Sequence, residues 1–246
     1  MSEAIVFTSG KGGVGKTTTI ANIGTVLSQL DKKVIMLDTD MGLRNLDVVM
    51  GLEDQIRYNL IDLLEKRCRL KQAIIKDKRY PNLHMIPAAL KFDRLHNYES
   101  EFKILLEQLK KEFDYCLIDC PAGMGNGYHL ATVAADRAIV VTTPHISAVR
   151  DAGRIIYQLQ KDKINNINLV INEYDERMVR HHDMLSQSDI EELLGITSIG
   201  VIPCDKKVII SQNKGTPVVS LRSKATNKFI AIANFVDKEK EGVTNE

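Results

Sequence analysis

Nine residues, Gly10-Lys11-Gly12-Gly13-Val14-Gly15-Lys16-Thr17-Thr18, constrain this chain more than any other stretch. They follow a short apolar run, Ala4-Ile5-Val6-Phe7, that reads as a buried strand. They precede the run from Thr19 to Leu30, in which Ile20, Ile23, Val26, Leu27 and Leu30 recur at helical spacing. Strand, glycine-rich loop and helix start form the context in which G-x-x-x-x-G-K-[ST] becomes a phosphate site. Gly10, Gly12, Gly13 and Gly15 put no side chains in the way, so successive amide groups can point at phosphate oxygens. The helix N-terminus adds partial positive charge. Lys16 is expected to bridge the β- and γ-phosphates, and Thr17 to offer its hydroxyl to Mg²⁺. Lys11 is extra: a second lysine early in the loop is not needed to cradle phosphate in its own site.

The 246 residues suit one sizeable α/β domain, residues 1–236, followed by a polar tail over 237–246 that is expected to fray. A hydrophobic fraction of 44% supports a real core and argues against disorder. The formal net charge of +1 gives no bulk electrostatic case for nucleic acid or an anionic membrane. No secretory leader and no apolar run of membrane-spanning length is recognised, so a cytoplasmic protein is expected. Cys68, Cys116, Cys120 and Cys204 form no C-x-x-C pair, and reduced core thiols suit them better than zinc. His181-His182-Asp183 lacks the spacing of a metal shell and reads as a solvated loop.

Further strand-like runs are Val34–Leu37, Leu83–Ile86, Tyr115–Ile118, Ala138–Val141, Leu169–Ile171 and Ile199–Ile202. Most are apolar throughout rather than alternating, which marks strands covered on both faces. Helical stretches lie between them: Glu99 to Phe113, Ser147 to Leu159, and Asp189 to Leu194 with Ser188 as N-cap. The alternation predicts an α/β fold, a doubly wound and mostly parallel sheet of the P-loop type with helices on both faces. Ligands of such sheets sit at the carboxyl ends of the strands. Asp38 and Asp40 follow the second run and Asp119 ends the Tyr115–Ile118 run, so these carboxylates are candidates for positioning metal and water. Pro121 to Gly127 reads either as a switch loop or as a plain flexible connection.

Lys11–Thr18 resembles the deviant Walker A motif of the MinD/ParA ATPases. The likeness covers roughly residues 3 to 236. It includes Gly42–Asp47, Ile75–Asp77, Asp119–Gly123, Ser147–Asp151, Asp183–Ser186, Gly200–Pro203 and Asn213–Gly215. Gly42–Asp47 and Asp183–Ser186 narrow it to the branch that places the cell-division site. The resemblance implies an ATP-dependent homodimer in which Lys11 crosses to the partner's phosphates. Gly10 to Thr18 would bind the nucleotide. Asp40, with Asn45, would orient the attacking water, while Thr17, Asp38 and Asp119 would serve Mg²⁺. Asn172 and the segment after Pro203 would meet the adenine. Arg150 and Asp151 would lie where the family binds its partners, a septum inhibitor of the MinC type and an activator of the MinE or another type. Hydrolysis would be slow without that activator.

Relatives that reach the membrane end in a basic amphipathic helix. Here Phe229, Ile230, Ile232, Ala233, Phe235 and Val236 read as the last core helix, and the mixed-charge residues after it fit an interfacial helix poorly. Peripheral attachment at the inner face of the membrane, directly or through a partner, stays open. So do a ParA-like partition factor that binds nonspecific DNA and a nucleotide-gated adaptor with negligible turnover. An iron–sulfur relative is disfavoured by the placement of Cys116 and Cys120.

Overall fold

The computed structural model describes residues 2–91 and 97–242. Eight strands form one sheet: β1 (Glu3–Thr8), β2 (Val34–Asp38), β3 (Ile75–Lys76), β4 (Leu83–Ile86), β5 (Tyr115–Asp119), β6 (Arg137–Thr142), β7 (Ile167–Tyr174) and β8 (Ser198–Pro203). Their order is β3-β4-β2-β5-β1-β6-β7-β8. All neighbours are parallel except β3, a two-residue edge strand antiparallel to β4. The helices are α1 (Lys16–Gln29), α2 (Leu46–Met50), α3 (Leu60–Leu64), α4 (Leu70–Ala73), α5 (Glu99–Leu109), α6 (Asn126–Thr132), α7 (Ile146–Lys161), α8 (Glu176–Arg180), α9 (Gln187–Leu194), α10 (Lys206–Gln212) and α11 (Lys224–Gly242).

Successive strand residues face opposite sides, and both sides are buried. Ile5 and Phe7 of β1 pack with Ile20, Ile23 and Leu27 of α1 and with Phe229, Ile232 and Val236 of α11. Ala4 and Val6 pack with Phe102 and Leu106 of α5 and with Ile155 and Leu159 of α7. Parallel register brings Phe7 beside Asp119, and Asp38 beside Asp119. The loops after β1, β2 and β5 therefore emerge side by side at one edge of the sheet.

The last helix, α11, runs on to Gly242, into the stretch read as a polar tail. Tyr115 Oη donates to Asp237 at 2.8 Å, Lys32 pairs with the same carboxylate at 3.1 Å, and Glu239 meets Arg137 at 2.5 Å. These ties hold the extra turns on the sheet; residues 243–246 lie outside the described residues. The N-cap of α9 is Ser186, not Ser188. Ser186 and Asp189 exchange the reciprocal bonds of a capping box, which needs an acidic residue three positions after the cap.

Cys116 and Cys120 are buried, Cys68 is half-buried and Cys204 is exposed. Burial pushes the Cys120 thiol up to about 12. A disulfide reagent applied to the native protein is expected to modify Cys204 first, reaching Cys116 and Cys120 only after denaturation. Mass mapping of an early label on Cys120 would contradict this packing.

Candidate nucleotide site

The loop after β1 and the first turn of α1 border an open cavity of about 970 Å³. Gly12, Gly13, Gly15, Lys16, Thr17 and Thr18 form one wall. Asp40, Asn45 and α2 form another, with Pro121, Ala122 and the segment from Gln212 to Gly215 completing the lining. Gly15 has φ of +91°, and a Cβ there would stand 2.2 Å from Asn172 Nδ2. That amide donates to the Val14 carbonyl at 2.9 Å, so β7 braces the loop from beneath. Gly10 is equally constrained, because a Cβ on it would lie 2.3 Å from the Asp151 carbonyl oxygen of α7.

Lys16 is buried at the loop's end. Thr17 Oγ1 donates to Asp119 Oδ2 at 2.7 Å, and the other carboxylate oxygen of Asp119 is buried with no hydrogen-bond partner. Asp38 accepts the backbone amides of Asp40 at 2.9 Å and Leu46 at 3.2 Å, which fixes the start of the Asp40–Asn45 segment. Burial, then the neighbouring Asp119, holds Asp38 well above the usual carboxylate range. Burial also raises Asp119, against the opposing pull of Thr17 and Lys16. Burial raises Asp40 too, with Lys16 lowering it. Two buried carboxylates, an orphaned oxygen and a threonine hydroxyl fit a hard divalent cation that takes oxygen ligands, whose charge would reverse these shifts.

Lys11 stands apart. It is exposed, does not line the cavity, and its Nζ donates to Ser147 Oγ at 3.3 Å, at the start of α7. Arg150 is exposed on α7, and Asp151 accepts from Arg154 at 3.4 Å. Asn172 and Pro203 lie at the carboxyl ends of β7 and β8, outside the cavity lining, with Tyr174 and Pro203 in register. Gln212, whose Nε2 donates to Thr18 Oγ1, is a wall residue the sequence did not single out. Its contact spans 194 positions, and no local pattern announces it. The Asn213–Gly215 turn after it is the only nearby signal.

A glycine loop between strand and helix, a buried lysine and paired acidic strand ends define a P-loop nucleoside triphosphatase. A family profile described as an AAA domain matches residues 2–176. The septum site-determining protein MinD of Bacillus subtilis is 50% identical over 220 residues, covering 89% of this chain and 82% of that protein. A solved MinC:MinD cell division protein complex from Aquifex aeolicus matches with TM-score 0.90 and 39% identity, over 96% of each chain. The septum site-determining protein MinD of Pyrococcus horikoshii, solved with Mg-ADP, matches with TM-score 0.85 and 29% identity over 98% of each chain. The chain belongs to the MinD family of septum site-determining ATPases.

Proposed function

We propose that this protein is an ATP- and Mg²⁺-dependent switch that places the division site by recruiting a septum inhibitor of the MinC type. The observation that carries the dimeric part of this reading is the contrast between the two lysines. Lys16 is buried within its own cavity, whereas Lys11 is exposed outside it. A second protomer closing over the cavity would receive Lys11 at its phosphates, making the γ-phosphate a condition for dimerisation.

Gly10 to Thr18 bind the polyphosphate through backbone amides and Lys16. Thr17, Asp38 and Asp119 would hold Mg²⁺, which when bound supplies charge neutralisation at the phosphate oxygens. Asp40, half-buried beside Lys16, orients the attacking water with Asn45 on the same wall. The base extends toward Asn172 and Pro203 at the ends of the neighbouring strands. Hydrolysis is slow until an activator of the MinE or another type engages α7 around Arg150 and Asp151. Attachment to a membrane, where it occurs, is peripheral: among the described residues no helix is long and apolar enough to cross one.

Asp40→Ala tests this reading. Steady-state hydrolysis is expected to fall roughly 10²-fold or more, as for loss of a positioned general base. An ATP-bound dimer should nevertheless persist on size exclusion. A variant that hydrolyses normally, or one monomeric in saturating ATP, contradicts the assignment.

A second reading, a ParA-like factor that binds nonspecific DNA, draws on the exposed Lys206, Lys207, Arg222, Lys224 and Lys228 around α10 and α11. Salt-sensitive DNA retention in ATP would favour it.

A further inference from the structure

Two glycine turns touch in the wall of the cavity. Gly51, after α2, has φ of +61°, and Gly215, after α10, has φ of +57°. A Cβ on Gly51 would lie 2.7 Å from the Gly215 carbonyl oxygen, and one on Gly215 would lie 2.6 Å from Gly51 Cα. The backbones meet directly, and any side chain would part them. Both residues line the nucleotide cavity.

Arg79 spans this junction from outside. Its Nη1 donates to the Gly215 carbonyl at 2.8 Å and its Nη2 to the Met50 carbonyl, one from each turn. The guanidinium is itself aimed by Asp77, whose carboxylate takes Arg79 Nε at 3.0 Å and Nη2 at 2.7 Å. Asp77 is only 1% exposed and also accepts the Arg79 backbone amide at 2.8 Å. A planar fork that meets a carboxylate along one edge and two carbonyls along others is a task for arginine, not lysine. Farther along the same wall, Gln212 reaches Thr18 of the phosphate loop, and Asn22 of α1 accepts the Val219 amide at 3.0 Å. The clamped wall is thus tied back to the helix that carries the phosphate site.

The geometry points to Arg79, oriented by Asp77, as a positioning residue for nucleotide binding: it clamps α2 and the turn after α10 into one cavity wall. The clamp rests on the cavity being the nucleotide site. It does not touch the reacting phosphates, so it sets how tightly nucleotide is held rather than the rate of the bound complex.

The test uses Arg79→Ala, Arg79→Lys and Gly215→Ala in the full chain. It measures dissociation of a fluorescent ADP analogue, KM and kcat for ATP, and thermal midpoint without nucleotide. All three variants are expected to raise KM and speed analogue release roughly tenfold, with kcat held within about twofold, the range of loosened support around a site. Lysine should not rescue the arginine, because one ammonium cannot engage both carbonyls and Asp77. A lowered midpoint with unchanged analogue release and KM would overturn the proposal, leaving Arg79 structural only. So would a fall in kcat at unchanged KM. Failure of the unaltered protein to bind the analogue would instead remove the nucleotide assignment itself.

Discussion

Lys11→Ala is expected to abolish ATP-dependent dimerisation and to lower hydrolysis by roughly 10²–10³-fold, while each protomer keeps its affinity for nucleotide within a few-fold. The magnitude is that of losing a positive group which, on the proposed reading, the partner would supply to the transition state. Nucleotide affinity is expected to survive because, on the proposed reading, Lys16, Thr17 and the loop amides would hold the phosphates from within the same chain. Lys11 is removed at little cost in packing, since its side chain is exposed and reaches Ser147 through a long 3.3 Å hydrogen bond. Sedimentation in the Asp40→Ala background, where turnover is expected to be low, separates association from hydrolysis. Unchanged dimerisation and rate in Lys11→Ala would remove the cross-subunit role, whatever the family likeness implies.

The second large effect is on stability. Arg137, the first residue of β6, is completely buried, yet it carries a charge. It donates to Glu3 at 2.6 Å, Glu239 at 2.5 Å and the Val236 carbonyl at 3.1 Å. Breaking a buried ion pair by removing one partner typically costs about 3–5 kcal/mol, because the other charge is stranded. Arg137→Ala also opens a hole where the largest fully buried side chain had been. Against a total of about 5–15 kcal/mol this approaches unfolding, and the denaturant midpoint should fall accordingly. Glu239→Gln should cost about 1 kcal/mol or less, since that carboxylate is one-third exposed. Arg137→Met combined with Glu3→Gln should recover part of the loss, as it fills the space and removes a carboxylate charge that had faced Arg137. Equal midpoints for Arg137→Ala and the native protein would deny the clasp any energetic role.

What the sequence made legible follows from how locally each feature is encoded. Strands β1, β2, β5 and β6 announced themselves because both faces of the sheet are covered, so each holds an unbroken apolar run, while β4, β7 and β8 showed shorter or interrupted ones. The phosphate loop was equally plain, since its glycines and lysine are contiguous. Edge strand β3 has two residues, one of them the exposed Lys76, and left no such run. Helices α2, α3 and α8 have five residues each, too short for a helical period to register. The extension of α11 depended on Tyr115, Lys32 and Arg137, groups from distant strands and loops that no reading of a polar tail could supply. The Arg79 clamp was hidden for a related reason. Its acceptors are backbone carbonyls of Met50 and Gly215, 29 and 136 positions away, and a carbonyl carries no residue identity. Ser186 was within reach: the box pairing it with Asp189 is a three-residue offset, and Ser188 merely stood next to the expected helix start at Asp189, although it lies inside α9.

The bare Cα of Gly10 rests on the peptide at Asp151, with no room for even a methyl group between them. Packed matter this close transmits displacement instead of absorbing it. A load applied to the outward side of α7 would therefore reach the start of the phosphate cradle across a single peptide plane. The stiffness of that contact is set by the one residue type that lets the two backbones touch.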